Sequence, residues 1–277
     1  MNNSLSAVIA SPPSGRPRAV LLDCHDYARS VFLQGRPVPW QEPMAYSNFL
    51  GQAQGVLKAD VVLLPLDRWY AERLEGDPDL RAAMGAKSRT GFALRTLLGD
   101  PATTAGVTEL VTTVVATQHA PVVVQIPSPM QWLARTHHLS GSDQVLDADN
   151  AENASMYVAD WLRNFASLAL AGVLLDDRSP AGGTEPAVVP LDTYSPVANV
   201  TGHYGWTLAL RSDKSVEVSA GDERGGIVGP EFWLAGDAEL PAGDFVLAEI
   251  PAAALPETVL ARISSLSEPQ AVVSSAH

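Results

Sequence analysis

The chain has a single cysteine, Cys24, among 277 residues. No intramolecular disulfide can form, a Cys-rich zinc site is excluded, and a reducing compartment is expected. No apolar stretch approaches the roughly 20 residues that a membrane-spanning helix needs. The stretch 1–17 is small, polar and Pro-rich, without a basic region followed by an apolar core, so no secretory signal is expected and the protein is placed in the cytoplasm. Basic residues are scarce: 18 Lys and Arg stand against 31 Asp and Glu, a formal net charge of −13. They do not cluster, which argues against a nucleic-acid-binding surface. The acidic balance itself serves solubility. Also missing are a Gly-x-Ser-x-Gly elbow, a P-loop, a His-Glu-x-x-His pair and a Gly-x-Gly-x-x-Gly turn after a strand. Hydride or phosphoryl transfer with a bound cofactor therefore has no support, and neither cofactor nor metal is expected.

What the chain does have is eight short runs rich in Val, Leu and Ile, at 18–23, 60–65, 90–94, 121–126, 172–176, 205–210, 226–229 and 244–249. Helix-length segments separate most of them. Continuous apolar runs bounded by turn residues fit strands buried on both faces, and their alternation with helices predicts a parallel sheet. Eight such units predict an α/β fold, a single (β/α)₈ TIM-type barrel over 1–277, with flexible ends at 1–17 and 265–277. The active site of such a barrel lies at the C-terminal ends of its strands.

Between the strands, Gly35, Pro37, Pro39 and Pro43 exclude a regular helix from 34–43 and predict a long loop over the barrel mouth, carrying Trp40. Helices are expected over 44–57 and 68–84, the second broken near Gly76 and Pro78. The clearest helix is expected over 150–171, where Ala154, Tyr157, Val158, Trp161, Phe165 and Leu168 form one apolar stripe behind a capping pair, Asp149 and Glu152. The loose 178–190 stretch predicts a lid or surface excursion. The polar 212–225 stretch predicts a short hairpin.

The strand-end rule selects the candidate site. Asp23 and His25 end the first strand two residues apart and would share one face if the strand continued; an acid and an imidazole there suit proton transfer or metal binding. At the second strand end, Arg68 can clamp a carboxylate through two parallel hydrogen bonds, whereas Asp67 reads as a helix N-cap. Gln125 can orient a carbonyl or hydroxyl. Of Asp176, Asp177 and Arg178, Asp176 directly continues a strand. His203 is an acid–base candidate whose position, just ahead of the sixth run, leaves both ends of the barrel open. Glu249 either completes a ring of acids or pairs with an arginine.

The layout resembles the uroporphyrinogen decarboxylase and cobalamin-independent methionine synthase superfamily of barrels. The resemblance rests on Gly35-Arg-Pro-Val-Pro-Trp40, the run from Leu57 to Pro65, the run from Pro121 to Pro129, and the long helix leading into Ala171 to Asp176. Some members are cofactor-free decarboxylases of carboxylated aromatics, and others are methyltransferases that hold zinc with Cys and His. The methyltransferase cysteines are absent here. The resemblance thus implies a decarboxylase-like site with an arginine-lined mouth and an acid, for which Arg16, Arg36, Arg68, Asp23 and Asp176 are available. A cofactor-independent lyase or isomerase of a small carboxylated substrate is the first expectation. Catalysis falls to Asp23, His25, Asp176 and His203, and binding to Arg68, Trp40, Gln125 and Glu249. The alternatives are a divalent-metal hydrolase ligated by Asp23 and His25, and a catalytically silent partner barrel. Self-association is left open.

Overall fold

The structure is a computed structural model and describes residues 4–141, 144–179, 186–219, 221–234 and 239–267. Seven of the eight apolar runs form strands. The strands are β1 (Ala19–Asp23), β2 (Val62–Pro65), β3 (Val122–Pro127), β4 (Gly172–Asp176), β5 (Thr207–Arg211), β6 (Ser215–Val218), β7 (Arg224–Val228) and β8 (Phe245–Glu249). The helices are α1 (Leu5–Ala10), α2 (His25–Phe32), α3 (Pro43–Leu57), α4 (Leu66–Gly76), α5 (Pro78–Met84), α6 (Phe92–Gly99), α7 (Pro101–Thr117), α8 (Pro129–His137), α9 (Ala148–Leu162), α10 (Ser195–Tyr204), α11 (Glu231–Leu234) and α12 (Pro256–Arg262). The run at 90–94 is the exception. It enters α6 after Gly91, whose φ of 79° suits glycine, and buries Ala93, Leu94, Leu97 and Leu98 at helical spacing. The missing strand is β6, inside the polar stretch read as a hairpin; it alternates exposed Ser215 and Glu217 with buried Val216 and Val218.

The eight strands form one sheet in the order β1-β8-β7-β6-β5-β4-β3-β2. Every pairing is parallel except those of β6, which runs antiparallel to both β5 and β7. The uniform parallel barrel is therefore corrected to an eight-stranded, nearly closed barrel with one reversed strand. A four-residue β6 reached through a tight turn at Ser212–Ser215 needs no crossover helix, which is why it can reverse.

The seam lies between β1 and β2 and is bridged by Asp60. Its backbone N–H donates to Val20 O (3.0 Å), and its carboxylate accepts from Val20 N (2.8 Å) and Ser14 N (3.0 Å). A buried carboxylate thus replaces one rung of a ladder. Asp60→Ala is expected to cost about 1–3 kcal/mol by leaving buried N–H groups unpaired, read as a lowered urea midpoint; an unchanged midpoint would mean that the seam holds without it.

Strand residues alternate between two cores. Val20, Leu22, Val62, Leu64, Val122, Val124, Val173, Leu175, Leu208 and Val246 face the helices. Ala19, Leu21, Leu63, Val123, Leu174, Ala209, Val216, Phe245 and Leu247 fill the barrel. The flexible leader expected over 1–17 is corrected in its middle part. Helix α1 plugs the N-terminal end of the barrel, with Leu5, Val8 and Ile9 joining the interior cluster and Leu5 N donating to Ala171 O (2.8 Å). The apolar pattern of Leu5, Val8 and Ile9 explains the change, since one face of a single turn suffices to close a small barrel end. At the other terminus, Leu266 packs into the helix-side core and its carbonyl accepts from Arg18 Nε (3.0 Å). The rest of the tail, 268–277, lies outside the described residues.

Helix α9 ends at Leu162 and continues as one 3₁₀ turn, Arg163–Phe165. Trp161 and Phe165 are buried edge to face at 4.9 Å. Its capping box uses Asp147 and Asn150 rather than Asp149 and Glu152.

Candidate active site

The parity that fills the barrel with apolar side chains also builds a polar layer at its C-terminal end. Asp23, Gln125, Asp176, Arg211 and Glu249 each stand two residues beyond an interior residue, namely Leu21, Val123, Leu174, Ala209 and Leu247. All five therefore point inward.

A continuous chain of ion pairs joins the four charged ones, with Arg178 as the link to Asp176. Arg211, only 1 % exposed, donates from Nη1 to Asp23 Oδ2 (3.2 Å) and from Nη2 to Glu249 Oε2 (2.6 Å). Arg178 Nη1 donates to the same Glu249 oxygen (2.8 Å), while its Nε and Nη2 grip Asp176 Oδ1 and Oδ2 (2.9 and 2.7 Å) in a parallel fork. Gln125 Nε2 adds a long bond to Asp176 Oδ2 (3.3 Å). Burial by itself would raise the Asp176 carboxyl. The Arg178 hydrogen bonds and the charges of Arg178 and Arg211 outweigh it, and the group sits below the usual carboxylate range. The arginines thus favour the ionised form of Asp176.

The other end of the chain passes through Arg68. Its Nη2 lies 3.6 Å from Asp23 Oδ1, and its Nη1 donates to Asp26 Oδ1 (2.5 Å) and faces His25 Nδ1 at 3.2 Å. A guanidinium has no acceptor, so Nδ1 must carry the lone pair and Nε2 the hydrogen; this tautomer is assigned from the bonding. Strand β1 stops at Asp23, and His25 opens α2, so the two residues approach through Arg68 rather than along one strand face. His25 is 5 % exposed, stacked on Trp40 (5.1 Å, 9° between planes) and touched edge-on by Phe49 (5.5 Å). Burial, reinforced by the Arg68 charge, pushes the imidazole down to about 3. It is a neutral hydrogen-bonding group at physiological pH. The 34–43 loop accordingly brings Trp40 to this side of the barrel, as a buried wall behind His25.

Asp67 departs from its expected role. Pro65 occupies the N-cap of α4, without a side-chain cap bond, and Asp67 sits in the first turn, where Oδ2 is 3.8 Å from Arg135 Nη1 and Oδ1 is buried with no partner among the described residues. Burial raises this carboxyl above its usual range; Arg68 and Arg135 pull it back, whereas Asp176 and Asp23 push it further up. Asp177 points outward, as the neighbour of an inward Asp176 must. It accepts from Ser128 Oγ (2.5 Å), the N-cap of α8, and is structural.

Three candidates lie elsewhere. His203 is exposed near the end of α10, which leads into the start of β5, so it belongs to the end of the barrel opposite the mouth. Arg16 supports the seam through Lys58 O and Asp60, and Arg36 bonds within its own exposed loop. Part of the stretch read as a lid, 180–185, lies outside the described residues. The described residues contain no group of three or more His, Cys, Asp and Glu placed to hold a metal ion. A groove of about 1600 Å³ lies on the helical flank, lined by Leu80, Phe92, Arg95, Tyr157 and Trp161, away from the strand ends.

Sequence reasoning misses Arg211, because it ends the sixth run, which becomes β5, at Leu210. Counting one more inward step from Ala209 finds it. Nor is any helix among the described residues long and apolar enough to cross a membrane. Compared with known protein families, curated proteins and solved structures, the chain matches none, so the site rests on its own geometry.

Proposed function

We propose that the strand-end mouth binds a small carboxylated compound and moves a proton on it, as a cofactor-independent, decarboxylase-like lyase or an isomerase. One observation carries the reading: two arginines of the mouth, Arg68 and Arg178, are paired in part with carboxylates that are exposed or half-exposed. Asp26, the partner of Arg68, is 55 % exposed, and Glu249, the partner of Arg178, is 36 % exposed. A substrate carboxylate can take such a place at little cost, since exposed ion pairs hold weakly. Arg68 is the clamp, Trp40 backs the wall beside it, and Gln125 offers an amide. His25 supplies a neutral N–H, the form of imidazole that polarises a carbonyl. Asp67, the one carboxyl here raised by burial and free of a direct hydrogen bond, is the proton carrier.

The reading agrees with what the decarboxylase resemblance implies, and treats the fold as a (β/α)₈ barrel with one reversed strand, acting in the cytoplasm. Metal hydrolysis is disfavoured by the donors, because Asp23 and His25 both already face Arg68. The silent-barrel reading keeps one supporting observation: Arg211 and Arg178 are each already ion-paired with two carboxylates, although Arg211 Nε is buried without a partner among the described residues.

A deuterium screen tests the proposal. The protein is incubated in D₂O with a pool of small carboxylic acids, and NMR follows carbon-bound hydrogen and released carbon dioxide. Exchange or decarboxylation of at least one acid, lost in Arg68→Ala, is expected. A pool left unchanged would favour the silent barrel.

A further inference from the structure

The chemistry of the mouth extends beyond a single carboxylate. Arg178 and Arg211 are each fixed by one buried acid: Asp176 holds Nε and Nη2 of Arg178, and Asp23 holds Nη1 of Arg211. Each arginine then has one terminal nitrogen left, Arg178 Nη1 and Arg211 Nη2, and both converge on a single oxygen, Glu249 Oε2, at 2.8 and 2.6 Å. Two cations held in place around one oxygen make a preorganised anion seat. Its occupant is the least buried of the three acids: Glu249 is 36 % exposed, against 5 % for Asp23 and 7 % for Asp176. Glu249 can swing into solvent, and the two arginines stay where the buried acids hold them.

We infer that the seat filled by Glu249 Oε2 is a second carboxylate subsite, and that the substrate of the proposed reaction is a small dicarboxylate with Glu249 as its internal competitor. The inference rests on the reading of the mouth as a carboxylate site. Asp23 sets the spacing of the two seats, since Oδ1 faces Arg68 (3.6 Å) and Oδ2 faces Arg211 (3.2 Å). The two seats lie on neighbouring arginines that share the Asp23 carboxylate, and this neighbourhood is the ground for a short linker. The net charge of −13 gives no general attraction for anions, so selection falls to these fixed guanidinium groups.

Calorimetric titration of the full chain with succinate and with acetate tests this, on the wild type, Glu249→Gln and Arg178→Ala. Succinate is expected to bind the wild type more tightly than acetate. If Glu249 fills the seat about nine-tenths of the time, Glu249→Gln should tighten succinate about tenfold, because the competing state is removed. Arg178→Ala should abolish the preference for succinate. As a check that does not depend on Glu249→Gln folding well, Glu249→Ala should gain more thermal stability from added acetate than the wild type gains. Equal succinate affinity in the wild type and Glu249→Gln, with no acetate rescue of Glu249→Ala, would overturn the second subsite and leave the carboxylate reading standing. No binding of either acid to any of the proteins would overturn the carboxylate reading itself.

Discussion

Arg211→Ala is expected to lower the unfolding free energy by about 3–5 kcal/mol, the largest stability effect at the mouth, because it strips the cation from a buried carboxylate. Arg211 is 1 % exposed and bridges Asp23 on β1 to Glu249 on β8. Most of the loss falls on Asp23, which is 5 % exposed and keeps only the longer contact to Arg68; Glu249 is wetter and retains Arg178, so its share is small. The measurement is the urea midpoint at constant m-value. Replacing the group as a unit, with Arg211→Met, Asp23→Asn and Glu249→Gln together, should lose far less, since no buried charge is then left alone. A single mutant within about 1 kcal/mol of the wild type would show that the ion-pair layer does not carry the stability assigned to it.

Part of that layer is legible in the amino-acid sequence. Asp23, Asp176 and Glu249 terminate apolar runs and Gln125 stands one residue before the end of its run, and a period of two carries each into the polar layer without further information. Arg211 obeys the same rule and escapes it only through a boundary placed one residue early. The run at 90–94 misleads for another reason: five mostly apolar residues have no measurable period, and only the continuation to Leu97 and Leu98 shows the helical step. Strand β6 poses the opposite problem, because two apolar residues among polar ones read as a hairpin arm rather than as part of a barrel wall. The pairing of His25 with Arg68, two residues 43 positions apart, has no local signal at all. Asp67 misleads because an acid next to a predicted helix start has the composition of a cap, and only the folded backbone distinguishes Pro65 at the N-cap from Asp67 in the first turn.

Asp67→Asn should accordingly have the largest effect on turnover, lowering it by about 10²–10⁴-fold on any acid found active in the deuterium screen, the usual worth of a positioned proton-transfer group. The direction of the pH dependence follows from the chemistry. A donor must be protonated, and burial raises the Asp67 carboxyl, so the wild-type rate should fall as pH rises through that raised value. In a decarboxylation the bond to the departing carbon dioxide breaks and its electron pair stays on carbon. In the proposed reaction Asp67 would then give that carbon a proton and recover one from water. His25 adds no limb in the usual imidazole range, because it is held down to about 3 and stays neutral throughout. His25→Asn should therefore change the rate while leaving the alkaline limb in place, and Asp67→Asn should remove the limb. Folding gives an independent sign. A carboxyl raised in the native state takes up protons on folding, so its contribution to stability is lost as pH rises, and Asp67→Asn removes the cost of burying its charge. That variant should be at least as stable as the wild type at neutral pH. An alkaline limb that persists in Asp67→Asn, in a protein of undiminished stability, would take Asp67 out of the proton path.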